Sequence, residues 1–150
     1  MAEIDLLMTR LAAAIKDELP DRQVIDSWLG EDLDARVVAI AFDSSGGQSP
    51  VITTEVVEDD AGLGSALLVS VSCTAVSWDG DVEAVEKRRQ VEADLAAVTA
   101  RMKNECKSTA RLDGLVLDVW VAPQMQWYVL TDDRGPSLQC DFTIRARMHQ

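Results

Sequence analysis

Histidine is almost missing from this chain. His149 is the only one, and it stands next to last, on the polar side of an alternating segment. A nucleophile needs a base and a group to orient it, and a chain end holds a base loosely. Ser-His-Asp and Cys-His chemistry is therefore not expected. Cysteine is scarce and odd in number: Cys73, Cys106 and Cys140 lie far apart, with no CxxC pair. That argues against a disulfide framework and against a zinc site, and leaves three reduced, buried thiols in a reducing cytoplasm as the expectation. Long apolar runs are missing too. The longest, Val37 to Phe42, is far short of a membrane span. The first residues, Met1 to Asp5, are acidic and precede no apolar block, so a secretory leader is not expected.

Basic residues are the next deficit. Lys and Arg number 14 against 26 Asp and Glu, a formal net charge of −12. The imbalance is uneven: residues 1–75 hold 4 basic and 14 acidic residues (−10), and residues 76–150 hold 10 and 12 (−2). Wrapping a nucleic-acid backbone needs a basic track, which this composition does not supply. The same sign suits a surface past which DNA moves without sticking, and equally suits plain solubility.

Apolar residues make up 47% of the chain and fall into periodic segments, which speaks against disorder. At 150 residues one α+β domain, 1–150, is expected, with about 68–70% of its unfolded surface buried. Its centre is the stretch from Ser65 to Asn104. The first part alternates: Leu67, Val69, Val71, Cys73 and Ala75 share one face, and Ser70, Ser72 and Thr74 the other. After Asp79-Gly80-Asp81 the period changes, and Val91, Leu95, Val98, Met102 and Cys106 form a helical stripe over a helix expected from Val82 to Asn104. Asp79 or Asp81 is expected to cap it, with Glu83 in the first turn. The i, i+4 pairs Glu83–Lys87, Arg88–Glu92 and Arg101–Glu105 read as a solvated outer face. The acids around Lys87-Arg88-Arg89 leave no nucleic-acid patch there.

Elsewhere, Ile4, Leu7, Met8, Leu11, Ile15 and Leu19 line one side of a helix over 4–19 that Pro20 stops. Residues 20–35 read as acidic and irregular, with Trp28 as a local anchor. Arg36 to Phe42 reads as a strand buried on both faces. Asp43 to Pro50 is the strongest loop signal, projecting and mobile, and Val51 to Val57 a further strand. Glu58 to Gly64 is an acidic loop. Three strands close the chain: Leu115 to Val121, Met125 to Thr131 and Leu138 to Met148. The last alternates Leu138, Cys140, Phe142, Ile144, Ala146 and Met148 against Gln139, Asp141, Thr143, Arg145, Arg147 and His149, one face for a core and one for water or a partner. The fold class expected is α+β, a mainly antiparallel or mixed sheet of about six strands with two helices packed on it.

No motif carries chemistry. Glu58-Asp59-Asp60 and Asp132-Asp133 fall in turns, where Asp is common for local hydrogen bonding. No segment has the spaced ligands of a calcium loop. Gly62-Leu63-Gly64-Ser65 precedes a strand and lacks a following lysine, so it has no phosphate-loop context. Trp28, Trp78, Trp120 and Trp127 lack the basic company that base stacking needs, and read as core or interface anchors. No catalytic residue, cofactor or metal is expected.

In its order of elements the chain resembles the tail terminator proteins of long-tailed bacteriophages, the lambda tail-terminator type. The segments that carry the resemblance are the helix Ile4 to Ile15, the strand–helix unit Ser65 to Asn104, and the ending Leu138 to Arg147. The acidic stretch from Asp21 to Asp34 and the four tryptophans do not map onto the family. The resemblance implies a structural virion protein, not an enzyme. Such a protein forms a homo-hexameric ring that caps the tail tube, stops tube polymerisation and gives the head its joining surface. Its partners are then tail tube protein and a head-tail connector or head-completion protein. DNA passes through the lumen without specific binding, and no membrane is involved. The location implied is the virion neck, and host cytoplasm during assembly. Within that implication Glu58, Asp59 and Asp60 are lumen candidates, and Arg145 and Arg147 are candidates to meet an acidic face of the adjacent subunit. Another neck protein is the alternative, and after it a small cytoplasmic enzyme or ligand-binding domain with a deep pocket holding two or more carboxylates.

Overall fold

A computed structural model describes residues 2–27, 32–42, 50–58, 64–107, 111–132 and 135–149. Trp28, the loop at 43–49, Asp59 and Asp60 lie outside these residues. The elements run α1 (Ala2–Glu18), β1 (Gln23–Asp26), β2 (Arg36–Ile40), β3 (Ile52–Glu58), β4 (Ser65–Ser77), α2 (Ala84–Lys107), α3 (Arg111–Gly114), β5 (Val116–Val121), β6 (Gln126–Asp132) and β7 (Gly135–His149). The fold is α+β, and the described residues form a mixed sheet of seven strands and three helices, two of them long.

The spine is the antiparallel pair β4–β7, in register from Ala66↔His149 to Ser77↔Leu138. Each long strand carries two shorter ones along its free side. Beside β4 lie β3, opposite Ser65 to Val71, and β2, opposite Cys73 to Ser77. Beside β7 lie β6, opposite Gly135 to Asp141, and β5, opposite Ile144 to Met148. Among the described strands only β1 is parallel to its neighbour, extending the sheet beyond β2. Taking β4 as running up, β1, β2, β3 and β7 run down, and β5 and β6 run up. The outer strands on the two sides of the sheet therefore run in opposite directions.

The alternation read from the sequence decides which face is dry. Val69, Val71, Cys73 and Ala75 of β4 and Cys140, Phe142, Ile144, Ala146 and Met148 of β7 are buried against the helices. From α1 come Leu7, Leu11 and Ile15, and from α2 Val91, Leu95, Val98 and Met102. A fully buried Leu, Ile or Met stabilises the fold by about 1.5–3 kcal/mol relative to exposure, so this layer is the core. Val37, Val38, Ala39 and Ile40 are all buried, as a strand covered on both faces requires.

Four expectations need correction. Residues 20–35 are not wholly irregular, because Gln23–Asp26 adds β1 to the sheet edge. The face of α2 read as solvated is partly buried. Lys87, Asp94 and Glu105 are inside, covered in turn by the start of β7, by Arg22 with Arg36 of β2, and by the turn after α2, and among the described residues only Arg88–Glu92 is an exposed i, i+4 ion pair. Neither Asp79 nor Asp81 caps α2. Asp79 Oδ1 accepts from the Asp81 N–H in an Asx turn and Oδ2 accepts from Gln90, while the Lys87 N–H donates to the Glu83 carbonyl at the helix start. Trp78 and Trp120 are half-buried and Trp127 is exposed, so these three are not core anchors.

Candidate functional site

The segment after α2 sets up the first site. Arg111, Leu112, Asp113 and Gly114 have φ of 39°, 52°, 57° and 80°, so α3 is one turn wound left-handed. For each non-glycine residue that conformation costs roughly 1–2 kcal/mol. The turn persists because buried groups clamp it. The Leu112 N–H donates to Glu105 Oε2 at 2.9 Å, and Arg10 Nη1 donates to the Leu112 carbonyl at 2.9 Å. Glu105 Oε1 accepts in turn from Arg101 Nε at 2.9 Å, and Arg101 Nη1 reaches Asp17 at 2.6 Å and Glu18 at 3.3 Å. Hydrogen bonding to Asp17 first, then to Glu105 and Glu18, raises the Arg101 guanidinium above its usual range. Asp17, Glu105 and Asp113 share a cleft of about 360 Å³, but each stands within 4.0 Å of Arg10 or Arg101. These are three carboxylates holding a frame.

The left-handed turn brings Arg111 to the rim of a second cleft, about 480 Å³ in volume, where β4 begins and β7 ends. Its charged lining is Glu58, Arg111, Arg147 and His149, with Val57 and Leu117 among its apolar walls. Arg147 is half-buried, and its Nε is buried with no hydrogen-bond partner among the described residues. Arg145 lies two residues earlier on the same face of β7 and is exposed. Two of the residues singled out from sequence, Glu58 and Arg147, are thus brought together, and Arg145 stands near them. Arg111 was missed. Asp113-Gly114 is a turn signal, but nothing in the sequence announces a left-handed turn of three non-glycine residues.

The second candidate surface is the edge of β6, which among the described residues pairs only with β7. Four consecutive apolar residues, Trp127 (40% exposed), Tyr128 (40%), Val129 (67%) and Leu130 (46%), lie open on it. Val85 and Arg88 at the start of α2 share a groove of about 290 Å³ with Trp127 and Val129. An unpaired strand edge with this much apolar surface invites a partner. On the far side of the sheet the free strand β3 carries Glu55 and Glu58, with Val56 exposed.

The thiols are free. Burial pushes Cys73 up to about 12, and burial followed by the charge of Asp141 pushes Cys140 up to about 11. Cys106 Sγ is half-buried between Asp118 Oδ1 (2.9 Å) and the Val119 carbonyl (2.8 Å), and desolvation, then that carboxylate, raises it. None has the lowered pKa of a reactive thiolate.

No protein-family model and no curated protein matches this chain. Among solved structures, a chain of the virion of a native gene transfer agent particle aligns with 96% of this chain and 90% of its own length. The TM-score is 0.49 and the identity 14%, a loose similarity of chain trace with no bearing on role.

Proposed function

We propose that this chain is a structural virion protein of the tail-terminator kind, a ring subunit that caps a tail tube, stops its growth and offers the head a joining surface. The observation that supports it best is the pair of open sheet edges. When copies stand side by side in one orientation, the upward edge of one (β5, β6) meets the downward edge of the next (β1, β3). Such a meeting is antiparallel, the pairing that lets strands share a ladder without inverting a subunit. Repetition of one heterologous contact closes into a ring when the rotation fits. Register sets β6 level with β1 and β5 level with β3, so the apolar run on β6 stands opposite a different strand edge, as in a heterologous contact.

In this reading six copies carry a formal charge of about −72, six times −12. Glu58, Asp59 and Asp60 face the lumen and repel passing DNA. Arg145 and Arg147 meet carboxylates of the neighbouring copy. The partners are tube protein on one side and a connector or head-completion protein on the other, in the virion neck. The test is native mass, alone and with tube protein. A hexamer, or a hexamer formed only on tubes, is expected. A monomer that never engages tubes refutes the reading, and selective binding to a head portal reassigns it to another neck protein.

A further inference from the structure

We infer that the cleft between Glu58, Arg111, Arg147 and His149 is a binding site for a short acidic peptide segment of a protein partner. The first ground is charge. Every other described arginine, from Arg10 to Arg101, has a carboxylate within 4.0 Å. Arg111, Arg145 and Arg147 have none among the described residues, and all three belong to this end of the sheet. In a chain with 26 acids to 14 bases, arginines without an acid are the exception. In the cleft itself Arg111 and Arg147 face Glu58 as the one described carboxylate of the lining, an excess of arginine on a molecule of net charge −12.

The second ground is the Arg147 Nε atom, which is shielded from water and has no partner among the described residues. A buried donor left unbonded carries its full desolvation penalty. A carboxylate oxygen entering beside it removes that penalty, and guanidinium matches carboxylate in a two-pronged geometry. The third ground is strain. The left-handed turn holds Arg111 at the rim in a conformation that Glu105 and Arg10 must enforce. Strain maintained by a buried clamp is characteristic of positions that place a functional group.

Size and charge choose the ligand class. About 480 Å³ lies in the range of about 300–1,000 Å³ usual for ligand sites and exceeds what one inorganic anion fills. A nucleic-acid strand brings a charge with every nucleotide past a chain of −12. A short acidic segment brings its few charges to Arg111 and Arg147, and Val57 and Leu117 give its backbone an apolar wall.

The ring reading gives Arg147 to a carboxylate of a neighbouring copy and the cleft gives it to an acidic segment of another protein, so the two are tested separately. A short fluorescein-labelled Asp/Glu peptide, its Asn/Gln counterpart and a single-stranded oligonucleotide of equal length are titrated with the whole chain by fluorescence anisotropy. The acidic peptide should bind. Arg147→Gln and Arg111→Gln should each weaken it about tenfold or more, the loss of one charge-assisted bond. Arg89→Gln, in an exposed pair on α2, should leave it unchanged. Far-UV circular dichroism identifies any variant that fails to fold, and Arg145→Gln, exposed on β7, then replaces it with a smaller loss expected. Equal binding of the neutral peptide, tighter binding of the oligonucleotide, indifference to both cleft arginines, or no binding at millimolar protein would each overturn the site. Native mass is not a readout here. A monomer that binds the acidic peptide through Arg111 and Arg147 sinks the ring alone, and a hexamer that ignores it sinks the cleft alone.

Discussion

Replacing Glu105 by Ala tests whether the left-handed turn is held by a buried clamp. Glu105 is 6% exposed and Leu112 5%, so the Leu112 N–H has no water to turn to when its acceptor goes. An unsatisfied buried N–H costs about 1–3 kcal/mol. Arg101 keeps Asp17 and Glu18, both substantially exposed, so its lost bond adds about 0.5 kcal/mol. The expected loss is about 2–3 kcal/mol. Unfolding entropy near 2.1 cal/mol/K per residue gives about 0.3 kcal/mol/K for 150 residues, so Tm should fall by about 6–10 °C. Glu105→Gln keeps one oxygen for the Leu112 N–H but turns its amide nitrogen toward Arg101 Nε and forfeits that bond, so Tm should fall by less than in Glu105→Ala. Arg89→Ala, whose partner Glu86 is 3.6 Å away on an open surface, should stay within about 2 °C. Thermal melts followed by circular dichroism measure all three, and amide exchange at Leu112 should accelerate in Glu105→Ala. If Glu105→Ala melts with the Arg89 control, or Glu105→Gln is as damaged as Glu105→Ala, the clamp is not what holds the turn.

Three more outcomes are expected. Asp94 is buried between Arg36 (2.6 Å) and Arg22 (3.1 Å), so Asp94→Ala should cost about 2–3 kcal/mol in urea titration, discounted from the buried-pair figure because both arginines are partly exposed. Val129→Lys should leave Tm unchanged, since its side chain faces water, yet lower the native mass; an unaltered assembly would remove β6 from the contact. Stability should also fall on the alkaline side. Cys73 rises from 9.0 in the unfolded chain to about 12 in the folded one, so its contribution is complete below pH 9 and is lost as the pH climbs toward 12. Denaturant midpoints at pH 8, 9, 10 and 11 should drop less steeply in Cys73→Ala, and parallel slopes would contradict this.

What could be read from the sequence follows from where periodicity is decided. The faces of β4 and β7 follow a period of two because a dry helix layer covers one side, and the apolar residues of α2 follow a helical period for the same reason. The burial of Lys87, Asp94 and Glu105 is invisible to that logic. Each looks like an ordinary surface charge until β7, the segment from Arg22 to β2, and the turn after α2 fold over them, bringing Pro136, Arg22 with Arg36, and Leu112 into reach. β1 hid because four residues are too few to show alternation, and its pairing comes from β2. The cleft divides the same way. Arg147 could be placed from its parity on β7. Arg111 could not, because a left-handed turn of three non-glycine residues depends on Glu105 and Arg10, six and a hundred and one positions away in the chain. Sequence pattern reports what one element does against a flat core. A site assembled from a strand end, a strained turn and a buried carboxylate becomes visible only when the elements meet.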